Sequence, residues 1–146
     1  MLTRDQILLA DDLTRERVDV PEWMPPGSKP EDSFVYVREL TASEKDLFEA
    51  ENFKAKGVPV NQIDFRARLL SRTICDENGK LLFSQKDVQA LGLKSKVAAD
   101  RCANVALRLS AATDEEKDEL LGNSKGGQPE DSPSDSPPTL ELQTSA

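Results

Sequence analysis

From Ser124 the chain runs Lys-Gly-Gly-Gln-Pro-Glu-Asp-Ser-Pro-Ser-Asp-Ser-Pro-Pro, a stretch with no apolar side chain apart from its prolines. Ordering a residue costs about 1–2 kcal/mol of backbone entropy, and such a segment has no apolar area to offset it. Any fold must therefore be built from the residues before it. The sequence predicts a domain over residues 1–122 and a disordered acidic, Pro/Ser-rich tail over 123–146.

Charge divides in the same way. The net charge is -8, and beyond Thr113 nine acidic residues face only Lys117 and Lys125, which places -7 there and leaves the body at -1. A body so nearly neutral offers no basic surface for phosphates, so nucleic acid is not an expected partner.

The absence of histidine narrows function further, because it removes the commonest general base, the commonest metal ligand and every Ser-His or Cys-His nucleophile pair. No glycine-rich phosphate loop is present. Asp76-Glu77-Asn78-Gly79 has the start of a calcium loop without its later ligands, and reads as a turn. Cys75 and Cys102 lie in apolar-periodic segments outside any C-x-x-C pair, and are expected as buried, reduced core thiols. No catalytic residue, metal or cofactor is expected. Without a leader-like N-terminus or a long apolar run, a cytoplasmic protein with no membrane partner is anticipated.

Local signals order the body. Thr3 with Gln6, Thr41 with Glu44 and Thr113 with Glu116 each have capping-box spacing, starting helices at Arg4, at Ala42 and at Asp114. Ile7, Leu8 and Leu9 are expected to give the first helix a buried side. The second runs through Leu47 and Phe48 toward Phe53, with Gly57 and Pro59 to close it. Asp64 is positioned to cap a helix carrying Phe65, Leu69, Leu70 and Ile74 on one stripe, flanked by Arg66, Arg68 and Arg72. Glu44, Asp46, Glu49 and Glu51 read as a solvated acidic face. Ser84 caps a short helix ending near Gly92. From Ser95, Ala98, Cys102, Val105 and Leu109 predict the central core helix.

Two segments read as β. Residues 34–40, Phe-Val-Tyr-Val-Arg-Glu-Leu, are the strongest, and are expected to pair antiparallel with residues 17–23, a loop over 24–33 joining them. Pro21 favours an edge position for the first strand. The expected fold is α+β, mainly α: a small N-terminal antiparallel β-hairpin packed on a bundle of short helices, with the disordered C-terminal tail. Trp23, Phe34 and Tyr36 on the hairpin, with Phe48, are the candidate protein-binding residues. The hairpin aromatics either accept another chain or pack on the body's own helices.

Taken in order, these parts resemble the phage tail assembly chaperones of long-tailed phages and prophages. The resemblance rests on Leu2-Thr3-Arg4-Asp5-Gln6-Ile7-Leu8, Val18-Asp19-Val20-Pro21-Glu22-Trp23, and Val35-Tyr36-Val37-Arg38-Glu39-Leu40-Thr41 followed by Glu44 and Phe48. It continues through Arg66-Ala67-Arg68-Leu69-Leu70, Cys75-Asp76-Glu77-Asn78-Gly79-Lys80, Leu82-Phe83, Asp87-Val88 and Leu91-Gly92. It implies a non-catalytic factor that binds the tape measure protein, keeps it soluble, helps recruit the major tail tube protein and is absent from the mature virion, with self-association open alongside. In many such phages a ribosomal frameshift late in this gene makes a longer minor form, and a polar chain end suits that junction. A structural head or tail component kept in the virion, or a small regulator of a host protein, are the alternative readings.

Overall fold

The structure, a computed structural model, describes residues 1–52 and 63–121. The chain divides into two compact units, Met1–Ala111 and Ala112–Ala146. The first carries α1 (Arg4–Leu9), β1 (Arg15–Asp19), β2 (Phe34–Arg38), α2 (Ala42–Asn52), α3 (Phe65–Thr73), β3 (Ile74–Cys75), α4 (Val88–Leu91) and α5 (Lys96–Leu109). In the second, the described residues form α6 (Asp114–Leu121). This is the mainly α, α+β architecture expected. The expected tail over 123–146 and the closing residues Phe53, Gly57 and Pro59 lie outside the described residues.

The hairpin is longer by one strand than the sequence implied. β1 and β2 pair antiparallel with Arg17 opposite Tyr36 and Val18 opposite Val35, and β3 adds to the far side of β2 with Cys75 opposite Tyr36. The sheet order is β1-β2-β3. Ile74, expected on the α3 stripe, is instead the first residue of β3, because the helix gives way to extended backbone at that residue (φ -73°, ψ 126°). The Asp76–Gly79 turn then sends Leu81 back to bridge Cys75. Asp76 closes that turn: its carboxylate accepts from the N–H groups of Asn78 (2.8 Å) and Lys80 (3.0 Å), which lowers its pKa. Gly79 sits at φ +85°, a conformation that suits glycine.

β1 also ends earlier than expected. Pro21 has no N–H for a ladder and its fixed φ suits the first position of a helical turn, so Pro21–Trp23 forms a short 3-10 turn. Residues 24–33 are likewise not featureless: Gly27 turns at φ +83° and Pro30–Asp32 makes a second 3-10 turn.

Pairing puts Glu16, Val18, Val35, Val37 and Ile74 on one sheet face, and Arg17, Phe34 and Tyr36 on the other. The first face packs on α5, which also packs on α3. The α5 stripe is wider than its large residues indicated: Ala98, Ala99, Cys102, Ala103, Ala106 and Leu107 are buried, while Val105 and Leu109 are half-buried at its margin. Alanine leaves room for α3 and the sheet to approach closely. Around this core lie Val37, Leu40, Phe48, Phe65, Leu69, Leu70 and Ile74.

The capping boxes of α1, α2 and α6 are all formed. Asp64 departs from expectation: it precedes α3 in the left-handed region (φ 64°) and its side chain makes no capping bond. The acidic face of α2 is not simply solvated either. Glu44 pairs with the buried Arg38 at 3.1 Å, and Glu51 is held in a two-bond fork by Arg72 at 2.9 and 3.0 Å. That fork lowers the Glu51 pKa. Arg66 pairs with Asp100 on α5, so the arginine flank of α3 serves packing between helices. One element misses its expected place: Ile7, Leu8 and Leu9 of α1 are exposed, and the helix buries no residue.

Candidate protein-binding site

One surface groove starts from the 3-10 turn after β1. Glu22, its middle residue, accepts two bonds from the guanidinium of Arg101 on α5, both at 2.8 Å, while Arg101 also donates to the Asp19 carbonyl at 3.1 Å. Facing that fork, the Glu22 carboxyl is held down to about 2, and the Arg101 pKa is raised in turn. A bidentate pair fixes direction as well as distance. The turn is therefore pinned to α5, and Trp23 with it.

Trp23 and Met24 line a groove of about 570 Å³ together with Phe83, Ala90, Leu93 and Lys94. Its composition is mainly apolar, and Leu93 at its rim is 86% exposed. The indole Nε1 of Trp23 is buried and has no hydrogen-bond partner among the described residues. Leaving such a donor unsatisfied costs about 1–3 kcal/mol. The charges around it are mostly committed: Glu22 to Arg101, and Asp87 to the Ser84 N–H at 2.9 Å. Lys94 has no ion-pair partner among the described residues.

Phe34 and Tyr36 form a second, separate feature on the sheet face turned away from α5. Two residues apart on β2, they share that face, and their rings meet edge to face at 5.7 Å and 88°. The Arg17 guanidinium lies 3.9 Å from the centre of the Phe34 ring, a cation–π contact. Both aromatics are half-buried. Phe48 is 2% exposed and packs the interior.

The four aromatics singled out from sequence thus fall in three places: Trp23 in a groove, Phe34 and Tyr36 on the sheet, Phe48 in the core. Sequence reasoning missed the groove's other wall. Phe83 and Leu93 lie far from Trp23 in sequence, and the only local sign was an apolar Leu93 placed between Gly92 and Lys94, outside any helical stripe. Both cysteines are free and buried. Burial pushes the Cys102 thiol up to about 11 and raises that of Cys75, so neither is an activated nucleophile. No group of His, Cys, Asp or Glu among the described residues could hold a metal ion.

The family model described as phage tail assembly chaperone matches residues 4–119. The chain belongs to that family. A solved structure titled "Structure of bacteriophage HK97 tail assembly chaperone" shares its fold at 21% sequence identity with a TM-score of 0.50, covering 72% of this chain and 94% of that one. No curated protein matches. In this tail assembly chaperone the Trp23 groove and the Phe34–Tyr36 face both fall within the span the family model matches.

Proposed function

We propose that this tail assembly chaperone binds the tape measure protein through the outer face of its sheet, keeps it soluble, and helps recruit the major tail tube protein. The observation that carries the reading is the half-buried Phe34–Tyr36 pair with Arg17 against it. Aromatic and arginine side chains held rigidly at a surface are the types that dominate binding energy at interfaces. A long helical client with apolar stripes would lay one stripe on those rings, with Arg17, held against Phe34 and by Asp19 and the Glu31 carbonyl, at their edge.

The work needs no catalysis, and the chain has no histidine to perform it with. It takes place in the host cytoplasm and ends before the virion is complete. A frameshifted longer form would appear in the coding DNA as a slippery run near Lys125 with an overlapping frame beyond it.

Co-expression with the long, helix-rich product of the neighbouring gene tests the proposal. The client is expected in the soluble fraction with the wild-type chain, and in the pellet with the Phe34→Asp, Tyr36→Asp double variant. A client equally soluble without this protein would sink the idea. Mass spectrometry of purified virions should find the chain absent.

A further inference from the structure

Register places Arg15, Arg17 and Asp19 of β1 on the outer face of the sheet with Phe34, Tyr36 and Arg38 of β2. Each charged side chain among them is already engaged. Arg15 donates to the Glu77 carbonyl at 3.0 Å and meets Asp11 at 3.7 Å. Arg17 donates to Asp19 at 3.4 Å and to the Glu31 carbonyl at 3.2 Å, and lies against the Phe34 ring. Arg38 donates to Glu44 and to the Glu39 carbonyl, both at 3.1 Å. The hydroxyl of Tyr36 differs: it makes no hydrogen bond among the described residues, and its oxygen is not buried. Of the strand side chains on that face, it is the polar group without a protein partner.

The surroundings of the ring fix where that hydroxyl points. Phe34 meets it edge to face at 5.7 Å and 88°, Arg17 stands opposite on β1, and Cys75 stands opposite on β3. A half-buried tyrosine so flanked has little side-chain freedom left to lose when a partner arrives. Its hydroxyl can donate or accept, and local charge selects between the two. The strand residues of this face carry three arginines and one aspartate, and the half-exposed Arg17 is the neighbour directly across from Tyr36. Positive charge beside the site favours an anionic acceptor. A helix bonds its own backbone groups along its length, so the acceptor that a helical client presents is a side chain beside its apolar stripe.

We infer that Tyr36 sets the specificity of the outer face, its hydroxyl donating to an Asp or Glu carboxylate at the border of the apolar stripe of the client helix. The inference rests on the reading of this face as the docking surface. The rings supply area, which any apolar stripe can use, and the hydroxyl supplies register. A stripe without the acid covers the hydroxyl and leaves it unpaired, and a polar group stranded in this way rejects a near match far more strongly than a change in apolar area does. A long client with many similar stripes is then covered only at those that carry an acid in register.

Overlapping labelled peptides spanning the long, helix-rich product of the neighbouring gene provide the probe, titrated with the full wild-type chain, with Tyr36→Phe and with the Phe34→Asp, Tyr36→Asp double variant. Tyr36→Phe keeps the ring, and its thermal midpoint should equal that of wild type because the hydroxyl has no bond within the chain to lose. The tightest peptide is expected to bind Tyr36→Phe about tenfold more weakly. Replacing one acidic residue of that peptide by alanine should weaken wild-type binding by the same factor, with no further loss when the two changes are combined. A Tyr36→Phe chain that binds every peptide like wild type, a loss that adds in full to that of every alanine peptide, or a lowered midpoint would each overturn the inference. If Tyr36→Phe binds like wild type while the double variant does not bind, the inference falls and the docking surface stands. If the double variant also binds like wild type, both fall.

Discussion

Glu22 decides where Trp23 points, and it does so through a titratable bond. In the folded chain its carboxyl titrates near 2, against 4.5 when free of Arg101. A depressed folded-state value contributes stability that is whole above the unfolded value and is lost as pH falls through the folded one. The clamp should therefore be intact above pH 4.5 and release between 4.5 and 2. Trp23 emission, followed with far-ultraviolet circular dichroism as a control for unfolding, is expected to move in that window. The Glu22→Gln chain should lack this step; an identical titration in that variant would show that the fork does not hold the indole. Legibility at this scale was uneven. Its place among the aromatics of the edge hairpin marked Trp23 from sequence, but nothing marked Arg101 as its anchor, because the two are joined only by the way α5 crosses the end of β1.

Elements whose instructions are local were readable residue by residue. The boxes Thr3/Gln6, Thr41/Glu44 and Thr113/Glu116 formed as spaced, and Asn78-Gly79 turned where glycine allowed it, since each involves backbone groups within a few residues. The α5 stripe was not readable in the same way. Apolar size pointed to Val105 and Leu109, whereas the deepest contacts belong to alanines whose smallness matters only once α3 and the sheet are in place. Ala103 is fully buried, so Ala103→Leu should force those layers apart at a cost of about 1–3 kcal/mol, read as a lower midpoint in urea with an unchanged slope. A variant as stable as wild type would mean the α5 packing is looser than described. The third strand escaped notice for a related reason: Ile74 and Cys75 make a two-residue strand, too short for any pattern, and are extended because β2 offers them a partner.

At the scale of the molecule, the two thiols report whether sheet and helices of the first unit open together. Cys75 lies in β3 and Cys102 in α5, both buried with raised pKa, so alkylation must wait for opening. Both are expected to label at one common rate that rises in step with global unfolding; early labelling of Cys75 alone would show that the sheet opens by itself. The overall class was legible because helix signals outnumber strand signals, while the groove was not, since its walls come from segments some 60 residues apart in the chain. One further property follows from β1 lying at the side of the sheet. Its run of Arg15, Glu16, Arg17 and Asp19 makes a poor template for another backbone, because a strand laid alongside would bring its own copy of those charges into register or strip them of water. Copies crowded together are then kept from locking edge to edge into fibres along β1.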